Sequence, residues 1–201
     1  CNIRNFRLLK SAIMNEHLKK INALIDGFDA ETDLALQAIS KTKKYKKGEF
    51  LLSQGQVCKS SFWIEEGITR KYYMNEKKEV TTELLFKHDL AVAFSSYVSN
   101  QPSREFIQAI TDVTVSCMDK KAFQYLKVNH PQLIQLDLLM TEYYTMWLEK
   151  RLFEFHTLSA KEKYKLLLKE QPDFIRNIPL TYIASYLGIS LETLSRVRTK
   201  I

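Results

Sequence analysis

The chain has 201 residues and a formal net charge of +7, which favours an acidic partner such as nucleic acid without requiring one. Hydrophobic residues make up 45% and charged residues 26%, so we expect a globular protein with one large domain or two small ones. The three cysteines, Cys1, Cys58 and Cys117, are too few and too scattered for a disulfide framework or a four-cysteine metal or iron–sulfur site.

The first 40 residues predict two short helices. Leu18, Ile21 and Ile25 recur at helical spacing, and a similar pattern follows over residues 29–39. The start of the chain lacks the apolar core of a signal peptide, so we expect a cytoplasmic protein. Because the chain opens with Cys1 rather than Met, we expect its true start to lie upstream.

The segment from Lys41 to Asp119 predicts an antiparallel sandwich or barrel. Short runs of aromatic and β-branched residues alternate with turns, which include Gly48, Gly55 and Gly67. The lysine-rich run over residues 43–47 is interpreted as a solvated strand edge that blocks pairing with another sheet, with phosphate contact as the alternative.

A long helix is expected after Pro131, which suits the first helical position. Charged residues interrupt its apolar sequence, so it does not predict a membrane span. One apolar face is expected to pair with a second subunit, with a single wide core contact inside one chain as the alternative. That predicted dimer seam consists of Leu136, Met140, Tyr143 and Trp147, and a second face carries Ile134, Leu138, Leu148, Leu152 and Phe155.

Ser159 and Glu162 have the spacing of a capping box, which predicts the start of a new helical unit after a hinge at Leu158. The expected division is therefore a first domain over residues 1–130, a long helix and hinge over 131–158, and a helical domain over 159–201.

The segment from Pro179 to Arg198 predicts two short helices joined by a tight turn at Gly188, since glycine accepts a positive φ without a steric penalty. Thr181 and Ser190 are the expected N-caps. Helical periodicity then places Glu192, Ser195, Arg196 and Thr199 on the exposed side of the second helix. Such side chains can read base edges in a major groove, which is the favoured interpretation; the alternative is a Glu192–Arg196 pair on a solvated face.

The chain resembles the Crp/Fnr, or cyclic-AMP receptor protein, superfamily of transcription regulators. The resemblance covers residues 18–201 and rests on the glycine-punctuated segment 46–73, the long helix and the motif "IPLTYIASYLGISLETLSRV". It implies an α+β fold with an N-terminal double-stranded β-roll of the jelly-roll type, a long dimerisation helix and a C-terminal winged helix-turn-helix. The wing is not present in the chain, so we expect a truncated DNA-binding domain.

The resemblance further implies a homodimer that binds double-stranded DNA at a palindromic operator, with RNA polymerase as an open further partner and no membrane partner. Leu191 departs from the arginine that many members carry, so the usual half-site is not expected; an apolar contact with a thymine methyl is the substitute. The candidate DNA-binding residues are Thr181, Ser190, Leu191, Glu192, Thr193, Ser195, Arg196, Thr199 and Lys200, with Arg198 as a further phosphate contact.

The nucleotide pocket departs from the family pattern. Val92 and Ala93 stand where a Gly-Glu pair is usual, and Ser103 and Arg104 stand where an Arg-Ser-Ala run begins. Arg104 is one residue out of register, which in a strand turns it to the opposite face. Glu105 adds negative charge, so we expect the effector to be an unidentified small molecule other than cyclic AMP, or none.

The leading hypothesis is therefore a sequence-specific DNA-binding transcription regulator. The alternative is a regulatory or protein-interaction module with a degenerate cyclic-nucleotide-binding-like domain and no DNA binding. No phosphate-binding glycine loop, metal-ligand cluster or nucleophile–base motif stands in the sequence, so we do not expect an enzyme.

Overall fold

The computed structural model of the chain describes residues 12–172 and 175–199, apart from the side chains of residues 12–15. Eight strands and eight α-helices follow one another in this part of the chain. Their bounds are α1 Ala12–Asp26, α2 Ala30–Ile39, β1 Ser40–Tyr45, β2 Phe50–Leu52, β3 Ser60–Glu66, β4 Thr69–Asn75, β5 Lys78–Leu85, β6 Leu90–Ala91, α3 Phe94–Ser99, β7 Glu105–Ala109, β8 Val113–Asp119, α4 Lys120–Asn129, α5 Gln132–Thr157, α6 Ala160–Glu170, α7 Leu180–Leu187 and α8 Leu191–Arg198.

The strands form two four-stranded antiparallel sheets that face each other. The first sheet has the order β1-β8-β3-β6, and the second has the order β2-β7-β4-β5. Alternate side chains of both sheets point between them and make one buried core, which includes Phe62, Ile64, Ile107, Val115 and Cys117. The predicted sandwich is confirmed, and the described part of the chain has the α+β fold expected from the sequence.

The lysine-rich strand β1 lies at the edge of the first sheet, where β8 is its one strand partner. The side chains of residues 41–44 are exposed along this edge. Because exposed lysines disfavour edge-to-edge association, the edge interpretation of this run is confirmed.

Helix α5 crosses the outer face of the first sheet, with Pro131 at its N-cap rather than at its first helical position. Its residues Leu133, Leu136 and Tyr143 are buried against Trp63 of β3 and against helix α1. Met140 and Trp147 pack against the same cluster. The seam Leu136, Met140, Tyr143 and Trp147, assigned to a second subunit, therefore lies in an intramolecular core, because the sheet and α1 both need an apolar cover.

A third core joins the C-terminal helices to one end of the sandwich. Ile68, Leu84, Phe86 and Ile110 come from the strands and their connections, whereas Tyr164, Leu167, Ile183, Ala184, Leu187 and Leu194 come from α6, α7 and α8. Helix α5 ends at Thr157 and α6 begins at Ala160. The predicted capping box is present, with Ser159 as the N-cap of α6 and Glu162 in its first turn. None of the described helices is both long and apolar enough to span a membrane.

Candidate nucleic-acid interface and sensor pocket

Helices α7 and α8 meet at a tight turn around Gly188. This glycine has φ +66°, and its amide closes the last turn of α7. The Ser190 side chain accepts a hydrogen bond from the Thr193 amide at 3.0 Å, so the predicted cap of α8 is confirmed. The expected cap at Thr181 is wrong: α7 begins at Leu180 after Pro179, whose fixed φ suits a helix start without a side-chain cap.

One side of α8 is packed and the other is open. Leu194 is fully buried between the helices. Glu192, Ser195 and Arg196 are exposed on the opposite side. Arg196 lies 3.4 Å from Glu192, but both side chains are mostly exposed, and such i, i+4 pairs contribute only about 0.2–0.5 kcal/mol. Both groups are therefore free to exchange this contact for one with a ligand.

The remaining predicted DNA contacts differ in their availability. Leu191 and Thr181 are exposed, whereas Thr193 is half-buried and its hydroxyl accepts a hydrogen bond from the Ser190 hydroxyl at 2.9 Å. Thr199 is exposed and donates its hydroxyl proton to the Arg196 carbonyl. Lys200 lies outside the described residues. The open stripe of α8 is thus narrower than the predicted set, because Ser190 and Thr193 already stabilise the helix start.

Helix α7 is docked on the second sheet through a buried arginine. The Arg70 guanidinium of β4 lies between the rings of Tyr72 and Tyr182, at 4.0 and 3.6 Å from their centroids. It also forms an ion pair with Glu79 at 2.7 Å and donates to the Gln108 side chain. Because Arg70 is only 1% exposed, these contacts supply most of the partners that its charge requires.

A second polar contact joins helix α7 to the second sheet, here through strand β5. The Ser185 hydroxyl of α7 accepts a hydrogen bond from the Thr81 amide and donates to the Glu79 carbonyl, both at 2.9 Å. Sequence reasoning missed this docking surface, since Ser185 looks like an ordinary surface serine of a helix. Two adjacent basic residues, Arg70 and Lys71, inside an aromatic strand were the available signal.

The residues predicted for the effector pocket do not converge on one site. Ala93 is buried in the core between the sheets, and Arg104 is exposed. The Ser103 hydroxyl is occupied by the backbone of Glu105, to whose carbonyl it donates at 3.0 Å. Val92 alone lines a cavity, and its carbonyl accepts a hydrogen bond from Lys71 at 3.4 Å.

A buried ionic network occupies this region instead. The Lys71 ammonium is ion-paired with Glu83, lies 3.8 Å from a Glu105 carboxylate oxygen and donates to the Tyr144 hydroxyl of α5 at 3.2 Å. The Tyr144 hydroxyl donates in turn to Glu83 at 2.9 Å. Burial lowers the pKa of Lys71, but the attraction of Glu83 and Glu105 outweighs it, so the net pKa is raised and the lysine stays charged. Its charge is therefore already matched by carboxylates of the same chain.

Comparisons with known proteins agree with this architecture. Residues 42–130 match the sequence profile of the cyclic nucleotide-binding domain. The sequence matches none of the curated proteins with which it was compared.

Three solved structures illustrate the similarity of fold. FixK2 from Bradyrhizobium japonicum is 17% identical, with 81% of this chain and 84% of that one covered and a TM-score of 0.67. The catabolite activator protein of Thermus thermophilus is 23% identical, covering 88% and 85%, with a TM-score of 0.52. A putative transcriptional regulator of the Crp/Fnr family from Eubacterium rectale is 17% identical, covering 90% and 87%, with a TM-score of 0.63. Residues 42–130 are thus similar to the cyclic nucleotide-binding domain, and the chain as a whole shares the fold of these three solved structures.

Proposed function

We propose that the protein is a sequence-specific DNA-binding transcription regulator that acts as a homodimer on a palindromic operator. The observation that carries this proposal is the open stripe of α8, where Glu192, Ser195 and Arg196 stand exposed on a helix whose other side is packed. A helix of this kind fits a major groove, where arginine can pair with guanine and glutamate with the cytosine amine. The net charge of +7 supports attraction to DNA.

The proposed dimer forms through the exposed face of α5, because the face predicted from the sequence is buried inside the chain. Residues 134, 138, 141, 145, 148, 152 and 155 alternate by four and three along the helix, which is the spacing of a coiled-coil seam. Its apolar members Ile134, Leu138, Leu148, Leu152 and Phe155 are 44–61% exposed in the single chain. Because a partner helix with the same spacing covers such a face along its full length, we assign it to a second copy of this chain.

Selection of bound sequences from random double-stranded DNA, followed by titrations at several salt concentrations, tests the proposal. We expect an enriched site with two-fold symmetry and half-sites about one helical turn apart. Affinity should fall steeply as salt is raised, because phosphate contacts release counterions. Binding that shows no enrichment and no salt dependence would instead favour a regulatory module that acts through protein contacts.

A further inference from the structure

A cavity of about 200 Å³ lies between the outer face of the first sheet, helix α5 and helices α6 and α7. Its wall is mostly apolar and aromatic, and it includes both tryptophans of the chain, Trp63 and Trp147. The cavity is lined from three parts of the fold at once, since Leu90 belongs to the sheet, Met140 to α5 and Tyr186 to α7. A mostly apolar and aromatic wall with a few convergent polar groups is typical of a small-molecule site.

A few polar groups converge on the wall of this cavity. The Tyr143 hydroxyl is buried and has no hydrogen-bond partner among the described residues, although a buried phenol normally finds one. The carboxyl of Asp89 is also buried and accepts a hydrogen bond from the Phe86 amide at 2.7 Å. Both residues line the cavity, so a ligand there meets one unsatisfied hydroxyl and one carboxyl.

The charged groups around the cavity disfavour an anionic ligand. No lysine, arginine or histidine is among the lining residues of the described chain, whereas Glu83, Asp89, Asp137 and Glu170 are. Three of these carboxylates already have lysine partners: Lys71 for Glu83, Lys127 for Asp137 at 2.5 Å and Lys150 for Glu170 at 3.0 Å. A ligand with a negative charge would find no cation among these lining residues, so its charge would be buried without a partner at a cost in free energy.

Burial raises the pKa of Asp89 to about 8, an effect that the Phe86 amide opposes and Glu83 reinforces. Burial, Asp89 and Glu170 likewise raise the pKa of Tyr143, so its hydroxyl keeps its proton and remains a donor. Tyr143 therefore offers a proton to a ligand, and Asp89 can accept or donate one.

We propose that this cavity binds an apolar small molecule whose polar end is uncharged or positively charged and meets Asp89 and Tyr143. The ligand is distinct from a cyclic nucleotide in charge, and its site is lined by Trp63 and Met118 of the first sheet, by Leu85 of the second sheet and by α5. Because the cavity contacts both α5 and α7, occupancy would bias the position of the helix-turn-helix; this coupling rests on the proposed function, whereas the binding does not.

The test uses three probes with the same apolar body: phenylbutylamine, phenylbutanol and phenylbutyrate. Tryptophan fluorescence of the full chain reports binding directly, since both tryptophans line the cavity. We expect saturable changes with the amine and the alcohol, and at least about tenfold weaker binding of the carboxylate, equivalent to about 1.4 kcal/mol. Absence of saturable binding, or strongest binding of phenylbutyrate, would overturn the proposal.

Two variants locate the site. Ser116→Leu adds a side chain at a buried lining position, so it should abolish binding of both the amine and the alcohol. Asp89→Asn removes the acidic group and should weaken the amine at least fivefold while the alcohol changes less than twofold. Circular dichroism and melting of each variant check the fold, and wild-type affinities in a folded Ser116→Leu protein would place the probes elsewhere and contradict the proposal.

A DNA-binding measurement with and without phenylbutanol separates the two proposals. Probe binding by a protein that selects no DNA sequence would contradict the proposed function while supporting the cavity site. Sequence-selective DNA binding without any probe binding would contradict the cavity site and leave the regulator supported.

Discussion

Arg196 and Arg198 lie on the same short helix, but they differ in the contacts available to them. Arg196 belongs to the open stripe with Glu192 and Ser195, whereas Arg198 is exposed in the last turn of the helix. In the proposed complex, Arg196 meets base edges and Arg198 meets phosphate. The weak Glu192–Arg196 pair of the free protein would orient the guanidinium before binding without resisting its transfer to a base.

Substitution of Arg196 by alanine should cost about 1–3 kcal/mol of DNA-binding free energy and relax the preference at one base pair. Arg198→Ala is the matched control: it should weaken all sequences alike and reduce the salt slope by about 1. Site selection and salt titrations of the two variants measure these effects. An unchanged base preference in Arg196→Ala would rule out its role in reading sequence.

Both the backbone conformation and the packing at position 188 require a glycine. A Cβ there would approach ring carbons of Phe155 to 2.4 and 2.7 Å, whereas a Cβ on Gly55, also at positive φ, would meet no atom within 4 Å. Gly55→Ala therefore carries the left-handed backbone penalty alone, about 1–2 kcal/mol, and Gly188→Ala should cost more. Urea unfolding of both variants provides the comparison, and equal losses would show that the Phe155 contact yields easily.

Helix α5 is the element with two apolar faces. One face is buried against the sheet and α1 around Leu136 and Tyr143, and the other carries the exposed seam from Ile134 to Phe155. Sequence periodicity alone gave both faces similar spacing, so it could not decide which of them meets the chain's own core. Phe155, at the end of the exposed seam, also contacts the Gly188 turn, so this seam leads directly to the helix-turn-helix.

Leu148→Glu should disrupt the proposed dimer. Each copy loses about 1.5–3 kcal/mol of apolar burial, so the dimer dissociation constant should rise at least about 100-fold. Phe153→Glu is the control, because Phe153 is 66% exposed on the same helix but lies outside the seam. Sedimentation equilibrium measures both variants. If Phe153→Glu dissociates the dimer while Leu148→Glu does not, the interface has been assigned to the wrong face.

At the scale of the whole molecule, helices α7 and α8 are attached to the β-sandwich directly, and not through α5 alone. Apolar packing, the buried Arg70 and the two hydrogen bonds of Ser185 hold α7 against the second sheet. The exposed stripe of α8 stays open in this arrangement. A change in the β-sandwich can therefore act on the position of α8 through direct contacts as well as through the long helix.

Ser185→Ala tests this attachment without harming the helix, since alanine favours helix formation. Loss of its two contacts leaves the Thr81 amide without its acceptor, so hydrogen exchange at Thr81 and over α7 should accelerate. Ser195→Ala is the matched control on the open side of α8 and should leave exchange at Thr81 unchanged. Equal exchange in both variants would show that this contact does not hold the two units together.

Local signals in the sequence determined much of this protein. Turn glycines and short runs of aromatic and β-branched residues predicted the sandwich, and Gly188 with the Ser190 cap predicted helices α7 and α8, because these features depend on φ, capping and strand propensity within a few residues. Helical periodicity in the same segment also predicted that Glu192, Ser195 and Arg196 share one face of α8.

Contacts between distant segments were decided only by the tertiary structure. Which apolar face of α5 is buried depends on which apolar surfaces of the sheet and of α1 need a cover, and these surfaces exist only in the folded chain. The folded chain brings Lys71 into ion pairs with Glu83 and Glu105 and places the Arg70 guanidinium over the Tyr182 ring. It also places Asp89 in the wall of the cavity. Such pairings join residues far apart in sequence, and no periodicity reports them; burial and charge balance in the folded chain decide which groups meet.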